Sequence, residues 1–125
     1  MAASACATAC DRQIEVDHPF YLMTIDSPPE YALFRCPQGR DQGCAIDGLP
    51  GPRVIAAGAN SRFVAVAQHP VGEVCCRTVY YYFERVPNET SGWGANPERI
   101  VGPLDEPAFA EAQRRLGLPE LSVTP

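Results

Sequence analysis

The sequence predicts an α+β fold: an antiparallel meander β-sheet of about 5 to 7 short strands, one C-terminal helix packed on it, and disulfide staples. Three observations lead there. Short apolar and aromatic runs recur from His18 to Val101, separated by turns rich in Gly, Pro, Asn and Asp. Helical periodicity is clear once, between Asp105 and Gly117. Six cysteines in 125 residues exceed the usual content of a protein kept in a reducing compartment.

Residues 1–17 carry no strong periodicity and are expected to form an N-terminal tail, the remnant of a signal or lipobox region, ahead of a single α+β domain over 18–125. Phe20–Ile25 and Tyr31–Cys36 read as strands; Pro28 and Pro29 between them forbid one continuous strand. Residues 37–52 read as a long loop, with a strand fragment at 44–46 its only regular piece. Arg53–Ala57 and Arg62–Ala67 flank Gly58-Ala-Asn-Ser61, the clearest hairpin signal, since Gly and Asn take turn conformations at little cost.

Cys75–Arg85 is the longest β-prone stretch. Its aromatic and branched residues suit a pleated, half-buried surface, so a central strand is expected there. A second polar loop spans 87–97, and 98–101 reads as a short edge strand before Gly102-Pro103. The helix follows, with Asp105 as N-cap, Glu106 and Pro107 in its first turn, and Gly117 then Pro119 as the stop. Phe109, Ala112 and Leu116 share one face, which is expected to pack on the sheet.

Composition narrows the function classes. The net charge of −5 and a pI near 4.9 disfavour nonspecific attraction to nucleic acid or anionic lipid, so no nucleic-acid partner is expected. All ten cationic side chains are Arg; without Lys there is neither Schiff-base lysine chemistry nor a P-loop lysine. No apolar run approaches the roughly 20 residues of a membrane-spanning helix. The string Ala-Ser-Ala-Cys-Ala-Thr-Ala-Cys, ending at Cys10, looks like the end of a secretory signal or lipobox whose apolar core is missing, so a longer natural chain and export are expected.

The cysteines stand at 6, 10, 36, 44, 75 and 76. Cys36 and Cys44 flank a turn-prone segment that can bring their Cα atoms to cystine distance, and this local bridge is the leading pairing. Cys75 and Cys76 are adjacent; in a strand they would point to opposite faces and seek two different partners, which Cys6 and Cys10 could supply. Fifteen full pairings are open to six cysteines. Zinc bound by thiolates with His18 and His69 is the rival reading, but neither Cys-x-x-Cys nor His-x-x-x-His spacing occurs, so no metal site and no cofactor is assigned.

His18 and His69 each precede Pro at the beginning or end of an apolar run, as strand-edge residues do. No Gly-x-Ser-x-Gly elbow, Gly-rich phosphate loop or obvious carboxylate pair outside solvated loops appears, and no catalytic residue is assigned. One loop attracts a binding role. Trp93 sits between two glycines in a polar segment opened by Asn88 and Glu89; Trp is enriched at binding hot spots, though it can equally fold back over the sheet.

Gly48-Leu-Pro, Val54, Gly58-Ala-Asn, Phe63-Val-Ala-Val, Tyr80-Tyr-Tyr-Phe, Ile100-Val-Gly-Pro-Leu-Asp-Glu-Pro-Ala-Phe and Leu116-Gly-Leu-Pro form a further pattern. Over about residues 48–119 the chain resembles a family of small uncharacterised bacterial cell-envelope proteins, often predicted lipoproteins. The resemblance implies a shared fold and an envelope location, and it brings neither catalytic residues nor a cysteine pattern. The function expected on these grounds is a noncatalytic periplasmic or envelope protein-binding domain, an immunity or inhibitor protein whose partner is a secreted toxin or effector. The alternatives are a structural lipoprotein with a lipid anchor on Cys6 or Cys10, and a small hydrolase using His69 or His18.

Overall fold

Phe63–Gln68, FVAVAQ, is apolar at five successive positions, and a strand apolar on both faces must be covered on both. That requirement sets the architecture. In the computed structural model, which describes residues 13–24, 30–38, 43–44, 49–70, 77–86 and 99–125, every residue of this strand is buried. The strands are β1 Gln13–Asp17, β2 Phe20–Thr24, β3 Tyr31–Arg35, β4 Val54–Ala59, β5 Phe63–Gln68, β6 Val79–Glu84 and β7 Val101–Leu104; the helix α1 is Glu106–Leu116.

Among the described residues the α+β fold, antiparallel strands numbering seven, the C-terminal helix and the Cys36–Cys44 staple are all present. The strands divide between two meanders, β1-β2-β3 and β4-β5-β6-β7. Period two fixes the faces. Val64, Val66 and Phe83 meet Phe20, Leu22, Tyr31 and Leu33 of the smaller sheet, with Phe20 and Phe83 edge to face at 5.3 Å. Phe63 and Ala65, joined by the half-buried Tyr80 and Tyr82, meet Phe109 and Ala112 of α1 and Leu118 beyond it. The order is therefore helix, four-stranded sheet, three-stranded sheet.

The division falls at the connection between β3 and β4. A Leu33 N–H to Pro50 carbonyl bond of 3.0 Å ties the far end of this connection to β3, and the Cys36–Cys44 disulfide bridges its near end with a Cα separation of 4.2 Å. Cys36 is fully buried. Cys6, Cys10, Cys75 and Cys76 lie outside the described residues.

Four elements differ from the sequence reading by more than one residue. Residues 13–17, read as tail, form β1: Ile14 and Val16 pack on the core while Glu15 and Asp17 face solvent, an alternation too short and polar to register. β4 continues through Gly58 and Ala59, and the turn falls at Asn60, whose Oδ1 accepts from the Arg62 and Phe63 amides at 2.9 and 2.8 Å. Gly58 is needed inside the strand because the C-terminal segment crosses there; a Cβ would stand 1.8 Å from the Glu120 carbonyl oxygen. Within the described residues β6 begins at Val79, and it is interior as expected, between β5 and β7. β7 runs through Gly102-Pro103 instead of ending before it, which an edge strand tolerates because proline's missing N–H faces no partner.

The helix ends follow the sequence closely. Asp105 accepts from the Ala108 amide at 2.9 Å, and Gly117 takes the left-handed conformation (φ 73°, ψ 44°) with its N–H on the Gln113 carbonyl at 2.9 Å. Asn60 Nδ2 then donates to the Gly117 carbonyl at 2.9 Å, tying the helix end to the β4–β5 turn. Paired 2.8 Å bonds between Ala57 and Val123 dock the C-terminal segment on the outer edge of β4.

Candidate functional site: an arginine-lined groove

The helix does not cover its whole side of the four-stranded sheet. Phe109 stacks on Tyr80 at 4.6 Å with the rings nearly parallel, but α1 ends at Leu116. A groove of about 620 Å³ opens beside this helix end, lined by the start of β5, the end of β6, the start of β7 and the last turn of α1. Strand register explains the meeting. Phe63 lies opposite Glu84, and Tyr82 opposite Val101, so three strand ends share one corner of the sheet.

Phe63, Tyr82, Val101 and Leu116 give the groove an apolar lining, with Phe63 and Tyr82 edge to face at 6.1 Å. Among the described residues four arginines surround it, Arg62, Arg85, Arg99 and Arg115, against one carboxylate, Glu84. In a chain of net charge −5, this concentrates four of the ten cations on one concave surface. Clefts walled by low-dielectric groups focus such a field on an incoming anion.

The four arginines are not equivalent. Arg62 reaches Glu84 at 3.2 Å and lies over the Phe63 ring at 4.9 Å, but both partners of the ion pair are more than half exposed, so water screens it heavily. Arg85 is a clasp between layers: its guanidinium donates to Asp17 Oδ2 at 2.6 Å and to the Asn60 and His18 carbonyls at 2.9 Å each, and it sits 5.6 Å from the Phe20 ring centroid. Arg99 and Arg115 are exposed, and their side chains form no hydrogen bond or ion pair among the described residues. They are the cations open to a ligand. A guanidinium offers a planar fork of donors suited to two oxygens of one carboxylate or phosphate.

Of the singled-out residues that the structure describes, Cys36, Cys44, His18 and His69, none lines this groove. Asn88, Glu89 and Trp93 are outside the described residues. Val86 and Arg99, the described residues flanking that loop, both line the groove. The histidines are elsewhere: His18 Nδ1 is 3.3 Å from the Tyr21 hydroxyl in the β1–β2 turn, and His69 Nδ1 is 3.2 Å from the Arg77 carbonyl after β5. Among the described residues no cluster of His, Cys, Asp and Glu has metal-binding geometry. The groove arginines escaped sequence reading because they are spread from position 62 to 115 with no local motif; the available signal was an acidic chain that uses Arg alone.

No protein-family model matches the chain, and no curated protein or solved structure does.

Proposed function

We propose that this chain is a noncatalytic protein-binding domain of the periplasm or cell envelope, an immunity or inhibitor protein that neutralises a secreted toxin enzyme, and that it docks through the arginine-lined groove. One observation carries the docking surface: four arginines and an apolar lining meet on one concave face of an otherwise acidic molecule. Aromatic residues with Arg are the pairing enriched where interfaces concentrate binding energy. Among the described residues the groove lining contains no Ser, Cys, Lys or His. The envelope assignment rests on the cysteine count, the Cys36–Cys44 bridge and the sequence resemblance over residues 48–119.

Two exposed side chains of similar accessibility provide the test. Val101 lines the groove and Ile55 lies on β4, outside the groove lining. A photo-cross-linking amino acid is placed at each position in cells that produce the protein. The reading predicts one discrete adduct from position 101, none from position 55, loss of the adduct when Arg99 and Arg115 are both changed to Gln, and inhibition of the captured protein's enzymatic activity by the purified chain. Equal adducts from both positions, or none from 101, contradict it.

A further inference from the structure

The groove's chemistry specifies its occupant more closely, and this step rests on the docking reading above. We propose that the groove receives an acidic segment of the partner protein, one in which Asp or Glu carboxylates alternate with apolar side chains. Charge complementarity is the first ground, since Arg99 and Arg115 stand exposed with no ion-pair partner among the described residues. Arg62 adds a third cation, because its screened contact with Glu84 is readily exchanged for a ligand carboxylate.

The apolar lining is the second ground. Phe63, Tyr82, Val101 and Leu116 lie between the cations, so a bound segment must offer apolar groups as well as anions. A volume of about 620 Å³ suits a few side chains and not an extended polymer. Nucleic acid and an anionic membrane meet these requirements poorly. Either would extend past the groove onto a molecule carrying 15 acidic and 10 basic side chains, where the longer-range field is repulsive. A short acidic segment places its carboxylates only where the arginines are.

The test uses the full chain and a fluorescein-labelled peptide, Gly-Glu-Leu-Glu-Gly-Glu-Leu-Glu-Gly, beside its counterpart with Gln in place of every Glu. Fluorescence anisotropy should show saturable binding of the Glu peptide, weakened several-fold as salt rises from about 0.05 to 0.3 M because the contacts are solvent-exposed. The Gln peptide should bind at least about tenfold more weakly, and R99Q/R115Q should lose about tenfold for the Glu peptide, the scale of removing exposed charge-assisted contacts. R114Q changes an exposed arginine of the same helix turn that does not line the groove, and it should leave binding unchanged.

Equal binding of the two peptides overturns the acidic assignment, as does a Glu peptide that fails to bind at all. Full binding by R99Q/R115Q overturns the groove as its location. Tighter binding of a single-stranded oligothymidylate, or of vesicles containing phosphatidylglycerol, overturns the partner class. The cross-link at position 101 separates the two proposals: an adduct without peptide binding removes the acidic segment and keeps the docking face, and absence of both removes both.

Discussion

Arg85→Ala should loosen the contact between the two sheets, and its cost can be worked from the structure. The side chain is 12% exposed, and its guanidinium joins three places distant in sequence: Asp17 at the end of β1, His18 in the next turn, and Asn60 in the β4–β5 turn. Two bonds run to backbone carbonyls at 2.9 Å. A charged hydrogen bond contributes about 1.5–3 kcal/mol when its partner is left dry, but these carbonyls lie in turns that water reaches, so about 1 kcal/mol each is the better figure. Asp17 is 54% exposed, which limits that pair to about 0.5–1 kcal/mol. Loss of the cation from the face of Phe20 adds a comparable amount. The total is about 3 kcal/mol, or a fall in Tm of about 10–15 °C for a domain of this size.

Urea unfolding followed by circular dichroism measures the change as a shift in midpoint at constant slope. Arg62→Ala is the internal control. It removes an exposed ion pair and an exposed contact with the Phe63 ring but no bond between the sheets, and should cost about 1 kcal/mol. A double-mutant cycle between Arg85 and Asp17 should recover only about 0.5–1 kcal/mol of coupling. An Arg85→Ala protein as stable as Arg62→Ala would refute the clasp.

Other consequences are as specific. Gly58→Ala sets a Cβ against the Glu120 carbonyl and must push the C-terminal segment off β4; a loss of about 1–3 kcal/mol is expected, with faster amide exchange at Val123 and Ala57, whose mutual bonds would open. Cys44→Ser opens the loop closed between residues 36 and 44 and should cost about 2.5 kcal/mol on the chain-entropy model, measured by thermal unfolding against the oxidised parent. Asp105→Ala removes the cap on the Ala108 amide and should lower stability by about 1 kcal/mol, with fraying confined to the first turn of α1 in exchange data.

Much of the fold was legible because its signals are local. Asp105, Pro107 and Gly117 mark the helix ends through single-residue chemistry, and Phe109 and Ala112 mark its buried face. The Cys36–Cys44 bridge was legible for the same reason, being separated by only eight positions. The split into two sheets was not, since the two-residue period of a strand such as β2 or β5 tells which residues share a face and nothing about which strands share a ladder. Gly58 illustrates the gap: it reads as a turn residue, yet its place in β4 is dictated by Glu120, 62 positions later in the chain. The groove is the extreme case. Arg62, Arg99 and Arg115 are unremarkable surface cations until β5, β7 and α1 bring their ends to one corner.

An NMR titration of the isotope-labelled chain with the Glu peptide tests the central claim, that this corner is the binding face, most directly. The account predicts saturable amide shifts concentrated on Arg62, Phe63, Tyr82, Arg99, Val101, Arg115 and Leu116, with β1–β3 left in place. Saturable shifts centred on β1–β3 or on the outer edge of β4, with the groove amides unmoved, would contradict it.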